Sequence, residues 1–109
     1  MIIHEKFSRD KLTEWDLRDL QKYDLDEVWY SYRDEGYDGS GQLIARKGEL
    51  YDHHDMGHCS CYGCIERFEF NGQPLPNLIN QLRQNEWYWK DIKSVLEKYE
   101  LFTENNLEI

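Results

Sequence analysis

The stretch from Val28 to His53 constrains the fold more than any other part of the chain. Val28-Trp29-Tyr30-Ser31-Tyr32 is aromatic and β-branched, which fits a strand with both faces partly covered. Asp34-Glu35-Gly36-Tyr37-Asp38-Gly39-Ser40-Gly41 follows and reads as a turn, because its glycines supply backbone freedom that other residues lack. Gln42-Leu43-Ile44-Ala45-Arg46 is a second strand, Lys47-Gly48 a tight hairpin turn, and Glu49-Leu50-Tyr51-Asp52-His53 a third strand. Further on, Ile65-Glu66-Arg67-Phe68-Glu69-Phe70 alternates apolar and charged residues as a half-buried strand does, and Asn71-Gly72 ends it. The expected centre is an antiparallel β-meander of three to four strands.

Helices flank it. Leu12, Trp15, Leu20 and Tyr23 share one face at helical spacing, with Thr13 or Ser8 as the cap. Leu75, Leu78, Ile79 and Leu82 follow the i, i+3, i+4, i+7 pattern, and Pro76 suits a first helical turn. Asn85 caps a last helix with Tyr88, Ile92, Val95, Leu96 and Tyr99 on one face. An N-terminal helix and two C-terminal helices around the meander make a single α+β domain spanning 1–109. A domain of this length buries roughly 65% of its unfolded surface. Its 15% aromatic content rules out a disordered acidic tail, which lacks the apolar groups that offset chain entropy.

Charge narrows the partners. With 13 Lys and Arg against 22 Asp and Glu, the net charge is 13 − 22 = −9. Binding to phosphate backbones draws on counterion release by basic side chains, so direct nucleic-acid binding is excluded as an expectation, as is binding to anionic membranes. Mean hydropathy is −0.90, and no apolar run approaches the ~20 residues of a membrane span. Met1-Ile2-Ile3-His4-Glu5-Lys6 turns polar too soon for a secretory signal, which points to the cytoplasm. Between Asp10 and Asp38, ten acids face four bases (Lys11, Arg18, Lys22 and Arg33), a local charge of 4 − 10 = −6. Such a run is either a solvated face that keeps the protein soluble or a surface that mimics nucleic acid before a basic protein groove. Asp34, Glu35 and Asp38 are its candidate contact residues. Trp87, Tyr88 and Trp89 cannot all face one core, so Trp87 and Trp89 join them as interface anchors.

A second constellation spans His53 to Cys64, where three histidines and three cysteines fall within twelve residues. His58, Cys59, Cys61 and Cys64 are candidate zinc ligands, with His53 or His54 as alternatives for the imidazole. Cys59 and Cys61 point the same way on an extended backbone, and Gly63 permits the turn that returns Cys64. Structural zinc sites usually combine two separated pairs, and no second pair stands downstream. A cysteine nucleophile activated by a neighbouring histidine is another reading. The plainest is that the cysteines are small buried side chains at a strand-to-loop junction, reduced as cytosolic thiols are.

Tyr37-Asp38-Gly39-Ser40-Gly41, a hairpin, and Gly57-His58-Cys59-Ser60-Cys61-Tyr62-Gly63 together resemble a family of small phage and prophage proteins with a "GSG…HCSCYG" core after an aromatic strand. The resemblance covers roughly Val28 to Gly63, about a third of the chain. That core has two cysteines and one histidine, so Cys64, His53 and His54 are particular to this sequence. The resemblance carries no activity; it implies a phage-derived accessory protein in a bacterial host. No glycine-rich phosphate loop precedes a helix, since 36–41 lies between strands, and no enzyme is expected. The expected function is protein–protein binding to a host protein with a basic surface, such as a CRISPR effector nuclease of host defence. The alternative is a zinc-binding or redox module on His58–Cys64. An unpaired meander edge is able to support a homodimer, and the oligomeric state stays open.

Overall fold

The computed structural model describes residues 1–4, 14–34, 39–56, 68–86 and 89–101. In chain order they form β1 (Ile2–His4), α1 (Glu14–Gln21), β2 (Glu27–Asp34), β3 (Gly39–Lys47), β4 (Leu50–Asp55), α2 (Leu75–Arg83) and α3 (Trp89–Lys98). The strands make one sheet in the order β1-β2-β3-β4. The three antiparallel strands expected from Val28 to His53 are β2, β3 and β4, running from the rung Glu27↔Arg46 to Asp34↔Gly39 and from Lys47↔Leu50 to Gln42↔Asp55. Lys47↔Leu50 leaves Gly48-Glu49 as a two-residue loop, one position later than the sequence suggests. Gly48 has φ 61° and Glu49 does not share the positive φ, the pattern of a II′ turn whose twist matches the flanking strands.

The α+β architecture holds, but the fourth strand is a different one. β1 pairs in parallel with β2 (Ile2↔Glu27, Ile3↔Val28, His4↔Trp29) and makes the sheet mixed. Parallel neighbours need a crossover, and the segment containing α1 supplies it. The strand expected at 65–70 is not formed by its described part: Phe68, Glu69 and Phe70 lie outside any strand, and 65–67 lie outside the described residues. The alternation has another cause. Extended backbone places residues two apart on the same side whether or not it pairs, and Phe68 and Phe70 both pack on one core cluster. Pairing with the β4 edge is pre-empted, because Tyr51 exchanges backbone hydrogen bonds with Gln73 (2.7 and 2.9 Å). Asp52 closes the same edge, accepting the His53 N–H at 2.8 Å and the Asn71 N–H at 2.7 Å.

Both faces of the sheet are covered, as the unbroken apolar reading of Val28–Tyr32 implied. Val28, Tyr30, Leu43 and Ala45 face Leu20 of α1, Leu25, Met56 and Phe68. Trp29 and Ile44 point the other way, into Ile79 of α2 and Ile92 and Leu96 of α3. Each large side chain buried this way stabilises by about 1.5–3 kcal/mol. Pro76 sits in the first turn of α2, and the Asn85 carbonyl accepts the Trp89 N–H at 2.9 Å, as the carbonyl at a capping position does. α1 ends at Gln21, two residues before the expected Tyr23; Leu12, Thr13 and Ser8 lie outside the described residues. Tyr23 follows α1 and donates its hydroxyl to the Phe68 carbonyl at 2.8 Å. Among the described residues no helix is long and apolar enough to cross a membrane.

Candidate functional site

Among the described residues, β2 and β3 pair further than either neighbour follows them. The ladder continues through Tyr32↔Gly41, Arg33↔Ser40 and Asp34↔Gly39, past Gln42↔Asp55, the last rung of β4, and past His4↔Trp29, the last rung of β1. The end of this hairpin carries Asp34, and the connection 35–38 holds Glu35 and Asp38, which lie outside the described residues. Gly41 stands where β4 stops. A Cβ there would lie 2.3 Å from the Ser31 carbonyl oxygen and 2.8 Å from the Tyr32 Cα, so only glycine lets the two backbones approach this closely. The Gly41 carbonyl also accepts the Met56 N–H at 2.9 Å, tying the root of the hairpin to the exit of β4.

Two acids of the Asp10–Asp38 run, Asp26 and Glu27, are engaged within the fold. Asp26 accepts the Gly48 N–H at 2.6 Å and lies 3.6 Å from the Arg46 guanidinium. The Glu27 carboxylate receives Arg46 Nη2 on Oε1 at 2.8 Å and meets His4 Nε2 at Oε2, 2.9 Å away. The hydrogen bond with His4 above all, then that from Arg46, holds the Glu27 carboxyl below the usual carboxylate range, while Glu27 raises the Arg46 guanidinium further. Arg46 Nη1 also donates to the Gly48 carbonyl at 2.7 Å. The His4 ring stacks on Trp29 (centroids 5.3 Å apart, planes at 5°), and Trp29 on Tyr51 (6.2 Å, 19°). The Tyr99 hydroxyl donates to the Tyr30 carbonyl at 2.7 Å and lies 3.0 Å from that of His4. A carboxylate whose two oxygens are both engaged is a poor base, so this cluster fastens β1 and β3 to β2. Sequence reasoning missed it: His4, Glu27 and Arg46 are far apart along the chain, and only the parallel pairing of β1 joins them.

The zinc candidates His58, Cys59, Cys61 and Cys64 lie outside the described residues, and among the described residues no group of three or more His, Cys, Asp or Glu is placed to hold a metal ion. Consecutive strand residues leave opposite faces, so His53 and His54 cannot serve one centre together. His53 lies opposite Ile44 and pairs with Gln42 through Nε2; His54 packs edge-on against Phe68 at 5.4 Å. Loss of water around the His53 ring, with a smaller push from His54, lowers it to about 4 despite Asp55 and Asp52. Trp89 is half-buried against the second core cluster, and its ring takes the Arg83 guanidinium 5.8 Å from its centroid. Trp87 lies outside the described residues. No family model, no curated protein and no solved structure matches the chain.

The described residues also line surface depressions. One, of about 460 Å³, is lined by Gln81, Gln84, Asn85 and Glu86 at the α2–α3 turn. Another, of about 250 Å³, lies among Met1, Ile3, Leu17, Gln21, Asp24 and Leu25, between β1 and the end of α1.

Proposed function

We propose that the chain is a binding protein without catalytic chemistry, which occupies a positively charged surface of another protein. The partner class is a nucleic-acid-binding protein, and, following the resemblance to phage and prophage proteins, a defence nuclease of a bacterial host such as a CRISPR effector. The observation that carries this reading is where the acids fall. Asp34 stands on the last described rung of the β2–β3 ladder, and Glu35 and Asp38 follow it closely in sequence, on a chain of net charge −9. Complementary potentials steer association and fix orientation.

The test is binding of the purified chain to basic nucleases of bacterial defence at low and high salt, with duplex DNA as competitor. The expected result is binding that weakens as salt rises and is displaced by DNA, and that falls about tenfold when Asp34→Asn, Glu35→Gln and Asp38→Asn are combined. Binding indifferent to salt and to these three changes would overturn it.

A further inference from the structure

We propose that the cleft beside the C-terminal end of α1 receives a lysine or arginine side chain of the basic partner, an inference that rests on the binding function proposed above. The cleft encloses about 250 Å³. Sites that enclose drug-sized ligands run to about 300–1,000 Å³, so this one is sized for a single long side chain. Its chemistry is divided. Met1, Ile3, Leu17 and Leu25 offer aliphatic surface, while Gln21 and Asp24 add an amide and a carboxylate.

Asp24 is the informative residue, because a local force opposes an acid there. It has φ 54°, in the left-handed region, where glycine sits at no steric cost and aspartate only with some. It also stands just past α1, where the Tyr23 and Asp24 N–H groups close on the Leu20 and Gln21 carbonyls. The negative end of the helix dipole lies at that terminus and repels a carboxylate. Lys22, adjacent in sequence, is turned to Asp19 at 3.1 Å, and among the described residues Asp24 has no ion pair. Aspartate is among the few residues that tolerate this backbone, so the dipole is what opposes it, and it leaves the carboxylate open to a cation that the described residues do not supply. A cation is what carboxylate and dipole attract together, and the methylene stem of lysine or arginine is what the aliphatic walls cover. A purely apolar side chain would instead desolvate the Asp24 carboxylate with no partner for it.

The experiment is a backbone-amide NMR titration of the full chain at low salt with N-acetyl-arginine N-methylamide. The uncharged norleucine analogue and the Asp24→Asn variant are the comparisons. Asparagine keeps the shape of the side chain and its tolerance of the left-handed region, so the variant retains the wild-type melting temperature or exceeds it. The expected result is saturable shifts at Leu17, Gln21, Asp24 and Leu25, about tenfold weaker for norleucine and about fivefold weaker in Asp24→Asn. Equal binding of the two probes, an unchanged affinity in Asp24→Asn, or shifts without saturation at those four amides would overturn the cleft. Loss of the cleft with salt-sensitive nuclease binding intact removes this inference alone; loss of nuclease binding removes the reading beneath it.

Discussion

At one end of the β2–β3 ladder, the carboxylates of Asp26 and Glu27 are bonded to Gly48, His4 and Arg46. At the other end, Asp34 pairs with Gly39 and opens into a connection that carries two more acids, Glu35 and Asp38. Both groups belong to the same acidic run, yet the sheet around Glu27 differs from the sheet around Asp34. Near Glu27 the sheet is four strands wide, and cross-strand neighbours bring a histidine and an arginine to it. Near Asp34 the described residues form two strands, and the partner across the rung is glycine. Within one charge run, then, acids facing bases across strands hold the sheet together, and the proposed partner contacts are sought among the others.

The sharpest way to break this contrast is at the root of the hairpin. Gly41→Ala drives a methyl group into the β2 backbone, and a loss of about 3 kcal/mol or more is expected in urea unfolding, with nuclease binding falling as well. An unchanged midpoint would show that the close approach is not needed.

Acidification strains the body of the sheet next. The unfolded His53 ring titrates near 6.5 and the folded ring near 4, so the unfolded chain takes up a proton that the folded chain refuses. The stabilising share of this ring is complete above pH 6.5 and is lost as pH falls toward 4, amounting to about 2 kcal/mol between pH 7 and pH 5. Unfolding curves at the two values should separate by that amount in the wild type and far less in His53→Gln. Glu27, with its lowered carboxyl, adds its own loss only in more acidic solution, below its ordinary 4.5.

Glu27→Gln is gentler. It leaves an amide where His4 and Arg46 met a carboxylate, and because the cluster is partly solvated the expected loss is about 1 kcal/mol, with nuclease binding unchanged. Loss of binding with full stability would reverse the roles assigned to the two ends. The smallest effect on folding, within about 0.5 kcal/mol, is expected when Asp34→Asn, Glu35→Gln and Asp38→Asn are combined, even as binding drops.

Much of this was legible in local pattern. Val28–Tyr32 announced a strand covered on both faces, Gly48 announced the turn after β3, and the spacing of Leu75 to Leu82 announced α2 with its proline in the first turn. Phe68 and Phe70 misled because alternation reports one-sided burial and is silent on pairing. The candidate contacts Asp34, Glu35 and Asp38 were visible as charges. The bonding of Asp26 and Glu27 was not, since it depends on which strands pair.

Residue order by itself settled the α+β class, the presence and order of β2 to β4, the two closing helices and the negative charge, because strand alternation, helical spacing and turn glycines act between residues a few positions apart. The strands run further than expected, since Asp34, Gly39, Ser40 and Gly41, read as a turn, pair in the last rungs of β2 and β3. Tertiary structure alone decided that the N-terminus joins the sheet in parallel, that His4, Glu27 and Arg46 meet, that His53 and His54 part to opposite faces, and that Asp24 borders a cleft. Such contacts join segments whose separation along the chain leaves no periodic trace, and they arise only when burial of both sheet faces brings those segments together.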